Sequence, residues 1–181
     1  MKRIVSALLA LAVVALFGAA MAQDLGGRTI IVGSDTTYPP FETVDQNGEI
    51  VGFDVDVVKA ICERINCVAQ FQTTAWDGIF AAMANGEFDM IASGISITPD
   101  RAQVVEFTDP YHSVTQALAV STENSDLTFD DFVNGDLIIG TQNGTTNAIF
   151  AEEVVGATAS RSTTTSTPPS SRSSTATSTA S

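Results

Sequence analysis

The segment Ser93-Gly94-Ile95-Ser96-Ile97-Thr98-Pro99-Asp100-Arg101 gathers a cation, hydroxyls and a glycine into one short stretch. Arg101 is the sole lysine or arginine between Arg64 and Arg161. Thr98-Pro99 reads as a helix start, with Thr98 as N-cap and Pro99 at the first helical position. Arg101 then falls in the first turn, beside the positive end of the helix dipole, which favours an anion over a second cation. A bound anion resolves that conflict. The guanidinium fork pairs with a carboxylate, and the Ser-Gly-x-Ser segment supplies N–H groups and hydroxyls to complete a cradle. The alternative is an exposed Arg101 paired with Asp100, Glu106 or Asp109.

A cradle of this kind needs a scaffold to hold it, and the flanking sequence supplies one. Residues 29–33 read as a buried strand, followed by a polar, proline-ended loop over 34–40. Residues 41–53 read as a hairpin turning at Gln46-Asn47-Gly48, because Asn-Gly is a strong turn signal. Over 54–65, Val55, Val58, Ile61, Cys62 and Ile65 share one helical face. A second strand is expected over 68–71. A helix over 76–84 turns Trp76, Ile79, Phe80 and Met83 inward and stops at Asn85-Gly86. A third strand over 88–92 runs into the Ser-Gly-x-Ser segment. This order predicts an α/β layer with a mostly parallel sheet, whose ligands sit beyond the carboxyl ends of its strands. Residues 104–107 and 114–120 read as extended, the second leaving the first lobe. A helix over 129–133, a strand over 137–141 and a helix over 145–154 begin a second α/β unit.

The chain of 181 residues carries a formal net charge of −13. Between Gln23 and Val155 the basic residues are Arg28, Lys59, Arg64 and Arg101, and every acidic residue lies in that span. Such a surface repels phosphate backbones, which argues against a nucleic-acid partner. Residues 1–22 read as a secretory signal peptide: Met1-Lys2-Arg3, an apolar run, then Ala20-Met21-Ala22. Export favours a disulfide between Cys62 and Cys67, with reduced, buried thiols as the alternative. Their spacing is not that of a metal site, and His112 is the one histidine. Neither a metal nor a cofactor is expected. From Ala159 the sequence is almost wholly Ser, Thr, Ala, Pro and Arg, so residues 157–181 are expected to be a low-complexity, disordered tail. The change comes in the middle of a predicted unit, which points to a truncated or frameshifted second lobe.

Several blocks, in order, resemble the family-3 extracellular solute-binding proteins, the periplasmic amino-acid receptors of ABC importers. They are Gly52-Phe53-Asp54-Val55-Asp56-Val57 with Ile61-Cys62 and Ile65; Asp35-Thr36-Thr37-Tyr38-Pro39-Pro40-Phe41; Trp76-Asp77-Gly78; residues 94–101; and Phe107-Thr108-Asp109-Pro110-Tyr111. The resemblance runs from residue 29 to 155. It implies an α/β fold of two lobes that close on one amino acid. Residues 23–118 form the first lobe, largely present, and 119–156 begin an incomplete second. It implies that Arg101 pairs with the ligand α-carboxylate, helped by backbone at Gly94 and Ser96. Tyr38 and Trp76 resemble positions that sandwich the ligand side chain, with core packing as the alternative. Asp35 resembles a ligand contact, with loop capping as the alternative. Thr145 and Thr146 resemble the second lobe's share of the carboxylate site, with helix capping as the alternative. The family usually holds the α-ammonium with a late acidic residue, and none follows Glu153 here, so a poor binder is expected. The implied partners are a polar amino acid and a membrane ABC permease. The protein is expected to be a periplasmic monomer and not an enzyme. A prephenate or arogenate dehydratase-like enzyme and a ligand-sensing module are the other readings.

Overall fold

The structure, a computed structural model, describes residues 24–135 and 137–156, together with the backbone of 160–163. The expected signal peptide over 1–22 lies outside the described residues, as does the tail from 164 onward. Strands β1 (Arg28–Ser34), β5 (Cys67–Thr73) and β6 (Met90–Ile91) form a parallel sheet in the order β5-β1-β6. Val32 of β1 sits opposite Phe71 of β5 and Met90 of β6. Between β1 and β5, the short strands β2 (Thr37–Tyr38), β3 (Glu42–Val44) and β4 (Ile50–Val51) form an antiparallel meander. β2 lies within the expected loop. The β3–β4 hairpin turns at Asn47-Gly48, with Gly48 at φ +83°, a backbone conformation glycine adopts without penalty.

Helix α1 (Phe53–Ile65) crosses from β4 to β5. It packs Val58 with Val32 and Ala92 against one face of the sheet. A single 3₁₀ turn, Trp76–Gly78, leads into α2 (Ile79–Ala84), whose Ile79 and Ala82 pack with Phe88 on the other face. β1 is thus buried on both faces, which is why it reads as a continuous apolar run. The helical stripe is narrower than the sequence suggested. Val55, Val58 and Cys62 are buried, but Ile61 is 48% exposed, because the sheet beneath α1 is too narrow to cover it. α1 ends at Asn66 in the left-handed conformation.

Cys62 and Cys67 form a disulfide that ties the end of α1 to the start of β5. Closing a loop this short removes little denatured-state freedom, about 2 kcal/mol by the chain-entropy relation. Reduction is therefore expected to lower unfolding stability by about 2 kcal/mol, as measured by urea denaturation with and without reductant. Equal stabilities would show the bridge to be energetically idle.

The second unit comprises α3 (Phe129–Asn134), β7 (Ile139–Gln142) and α4 (Thr146–Val155). Its core is Phe132, Ile139 and Ala151, with Leu118 and Val120 packed against it. Two expectations need correction. Residues 104–107 and 114–120 form no strand. No neighbouring ladder among the described residues takes up their backbone groups. Conversely, residues 160–163 were expected to be disordered, yet they form β8 (Ser160–Thr163), parallel to β7. The edge of β7 offers a row of backbone donors and acceptors, and pairing with it needs no apolar side chain.

Candidate functional site

Arg101 lies where the two units meet. The expected helix start shrinks to one 3₁₀ turn, Arg101–Gln103. Thr98 still initiates it: its Oγ1 accepts from the Arg101 N–H at 3.2 Å and its carbonyl accepts from Ala102 at 2.9 Å. A turn this short carries little dipole, so the dipole conflict is not what marks the residue. Its environment is. Among the described residues no carboxylate comes within ion-pair distance of Arg101, and the ion pair that does form is Arg28–Asp89 at 2.6 Å. Pairing with Asp100, Glu106 or Asp109 is thereby set aside. The Arg101 Cζ sits 5.3 Å from the ring centroids of both Trp76 and Phe80. Nη1 donates to the Ser96 carbonyl at 2.8 Å, and Nη2 crosses to the second unit and donates to the Gly144 carbonyl at 3.1 Å. Burial pushes its pKa down, the mark of a charge partly stripped of water.

The other candidates fall around the same junction. Asp35 and Ser93 follow β1 and β6 at their carboxyl ends, as expected for a parallel sheet. Asp35 Oδ2 accepts from the Thr37 hydroxyl at 3.0 Å and, across the junction, from Gln142 Nε2 at 3.4 Å. The neighbouring Thr36 takes φ +60°, a rare conformation for a β-branched residue, and its hydroxyl reaches Thr73. Trp76 stands edge-on to Phe80 and comes close to Gly144, where a Cβ would lie 3.4 Å from the indole nitrogen. Tyr38 stacks on Phe41 at 5.3 Å and lies over Gly94, where a Cβ would come within 2.9 Å of the Tyr38 ring. Gly94 also has φ +55°, so glycine is required twice over.

The expected role of the Gly94 backbone changes. Its N–H points inward and donates to Asp54 Oδ2 at 2.6 Å, so it is not available to a ligand. The Ser96 N–H, by contrast, finds no acceptor among the described residues. Thr145 spends its side chain locally: Oγ1 donates to the Gln142 carbonyl at 2.7 Å and accepts from Ala148 N–H at 3.2 Å, capping α4. Thr146 Oγ1 accepts from Gln116 Nε2 at 3.1 Å. Beside Arg101 a cavity of about 520 Å³ is lined by Thr98, Arg101, Thr146 and Phe80, together with the carboxylates of Asp100 and Glu153.

Sequence reasoning missed Phe80 as the second ring on Arg101, Gln142 as the partner of Asp35, and a buried acidic pair beneath Ser93. Phe80 was counted as core, and its i, i+4 spacing from Trp76 was the available signal. Glu42 and Asp54 are 0% and 1% exposed. Glu42 Oε1 accepts from the Ser93 hydroxyl at 2.7 Å, and Ser93 Oγ in turn accepts from the Asp35 N–H at 2.9 Å. Burial pushes Glu42 up to about 8 and raises Asp54 as well.

The parallel sheet, the crossing helix and the junction around Arg101 define a two-lobed α/β binding fold. The model of the bacterial extracellular solute-binding proteins, family 3, matches residues 30–173, and the chain belongs to that family. The match extends past residue 155, where the resemblance read from the motifs ended. The ABC transporter arginine-binding protein 1 of Escherichia coli K12 is 35% identical over 137 residues, covering 76% of this chain and 53% of that protein. The histidine-binding periplasmic protein of the same strain is 34% identical over 154 residues, covering 84% and 58%. The chain thus spans about half the length of these relatives. Among solved structures, an ancestral arginine-binding protein bound to arginine superposes with a TM-score of 0.70 at 31% identity, covering 77% of this chain and 62% of that one. An ancestral amino acid-binding protein described as a precursor of cyclohexadienyl dehydratase gives 0.69 at 36% identity, covering 75% and 61%.

Proposed function

We propose that this chain forms an amino-acid-binding clamp that serves a membrane ABC importer outside the cytoplasm, and that its ligand is a polar amino acid with a cationic side chain. The observation that carries the reading is Arg101. It is a half-buried guanidinium with no carboxylate partner among the described residues, placed at the junction of two lobes beside the Ser96 N–H. For a half-buried guanidinium, a bidentate carboxylate is the natural complement. Trp76, Tyr38 and the Asp35 carboxylate then suit a planar or cationic side chain. The strongly negative net charge would draw such a ligand in. The arginine- and histidine-binding relatives support the same choice.

Binding without catalysis is the preferred reading. Glu42 and Asp54, whose pKa values burial raises, are buried beneath the cleft. The test is a thermal shift of the purified chain with L-arginine, L-histidine, L-glutamine and L-glutamate. Stabilisation by ligand tracks occupancy of the folded state, about 2.7 kcal/mol at a hundredfold excess over Kd. L-Arginine is expected to raise Tm most and L-glutamate not at all. A flat response to all four overturns the proposal.

A further inference from the structure

Glu42 and Asp54 come from separate elements, the start of β3 and the first turn of α1, yet both end in one dry site. Neither is paired with a lysine or arginine among the described residues. Each grips the cradle segment through one oxygen, Glu42 through the Ser93 hydroxyl and Asp54 through the Gly94 N–H. Their remaining oxygens, Glu42 Oε2 and Asp54 Oδ1, are buried and have no hydrogen-bond partner, and the two carboxyl groups are anchored to consecutive residues, Ser93 and Gly94. Two carboxyl groups bond to one another only through a proton, and two ionised ones in a dry site repel.

We propose that Glu42 and Asp54 share one proton, and that this pair is the positioning device that fixes Ser93 and Gly94, and with them the Ser96 N–H, for the ligand carboxylate. The proposal deepens the amino-acid-clamp reading and rests on it for the ligand alone. The proton resides on Glu42, whose carboxyl is pushed up to about 8, first by burial and then by the charges of Asp54 and Asp35. Asp54 is raised by burial and held down by the Gly94 N–H, Tyr111, Glu42 and His112. The groups facing the pair are therefore Asp35, Tyr111 and His112.

The sign of the pH dependence follows. The Glu42 pKa is higher in the folded chain, at about 8, than its ordinary value of 4.5. The stability it contributes is complete below that ordinary value and is lost as pH rises through about 8. Removing the shared proton leaves two buried negative charges, and the Ser93–Gly94 turn loosens.

The first arm of the test needs no ligand. Between pH 5 and pH 9 the Tm of the wild-type chain is expected to fall and the Gly94 amide resonance to move with a midpoint near 8. In Glu42→Gln, whose amide can donate to Asp54 and accept from Ser93 without titrating, both are expected to stay flat. A wild-type Gly94 resonance that does not titrate, or one that titrates identically in E42Q, overturns the proposal even if the variant is poorly folded. In the second arm, the affinity for L-arginine is expected to drop tenfold or more from pH 7 to pH 9 in the wild type and to hold in E42Q. Parallel losses in both proteins also overturn it. Absence of arginine binding at pH 7 counts against the clamp reading, and the ligand-free arm then decides on the pair alone.

Discussion

Arg101→Ala is expected to cost about 2–5 kcal/mol of amino-acid binding, the range for truncating one partner of a buried, hydrogen-bonded charge pair. At 1.4 kcal/mol per decade this is a loss of tens to thousands of fold. The effect is large for three reasons visible at the junction. The guanidinium is half-buried, it is flanked by the Trp76 and Phe80 rings, and no carboxylate among the described residues lies within ion-pair distance of it. Arg101→Lys keeps the charge but loses the planar fork and its stacking, so it should recover only part of the affinity. Calorimetry with L-arginine measures both variants, with a thermal melt as the control for folding. Unchanged affinity in Arg101→Ala would remove this residue from the site.

The second large effect is on stability. Gly52→Ala is expected to destabilise the chain by about 3 kcal/mol or more, the combined scale of a forbidden backbone conformation and an overpacked contact. Gly52 has φ +138°, and a Cβ there would lie 2.2 Å from the Phe41 carbonyl oxygen. That oxygen is backbone and cannot swing away. It also accepts the Asp54 N–H at 3.0 Å, while Phe53 N–H donates to the Pro40 carbonyl at 3.0 Å. The start of α1 is thus laid directly on the chain entering β3, and only glycine permits that approach. Gly48→Ala is the matched control. Its φ is +83° but nothing lies within 4 Å, so it should cost only about 1 kcal/mol. Equal urea midpoints for the two variants would show that the contact at Gly52 relaxes without penalty.

Much of the first lobe was legible in the sequence because its signals are local. The apolar run around Val32, the helical spacing of Val55, Val58 and Cys62, and the Asn47-Gly48 turn each specify an element without reference to the rest of the chain. Arg101 was legible for a related reason: a cation isolated in so acidic a chain invites the question of what it pairs with. The fine structure of the site was not legible. Glu42 and Asp54 look like ordinary solvated carboxylates in sequence, and nothing local says that β3 and the start of α1 bury them together. The hydroxyls of the Ser-Gly-x-Ser segment were read as completing a carboxylate cradle, but that of Ser93 is taken by Glu42 from a different element. The Gly94 N–H went the same way, to Asp54. Residues 114–120 show the converse failure. An extended segment becomes a strand only when a neighbour supplies the ladder.

The hydrogen bond from Arg101 to the Gly144 carbonyl bears on how a nutrient would enter. The guanidinium bridges the two units, donating to peptide oxygens on both sides of the divide. Under the proposed clamp reading, a carboxylate that pairs with Arg101 has to displace those oxygens. Its net gain is the difference between a charged acceptor and two neutral ones. Its affinity is thereby set against the contact between the units, so whatever strengthens that bridge weakens the hold on the ligand.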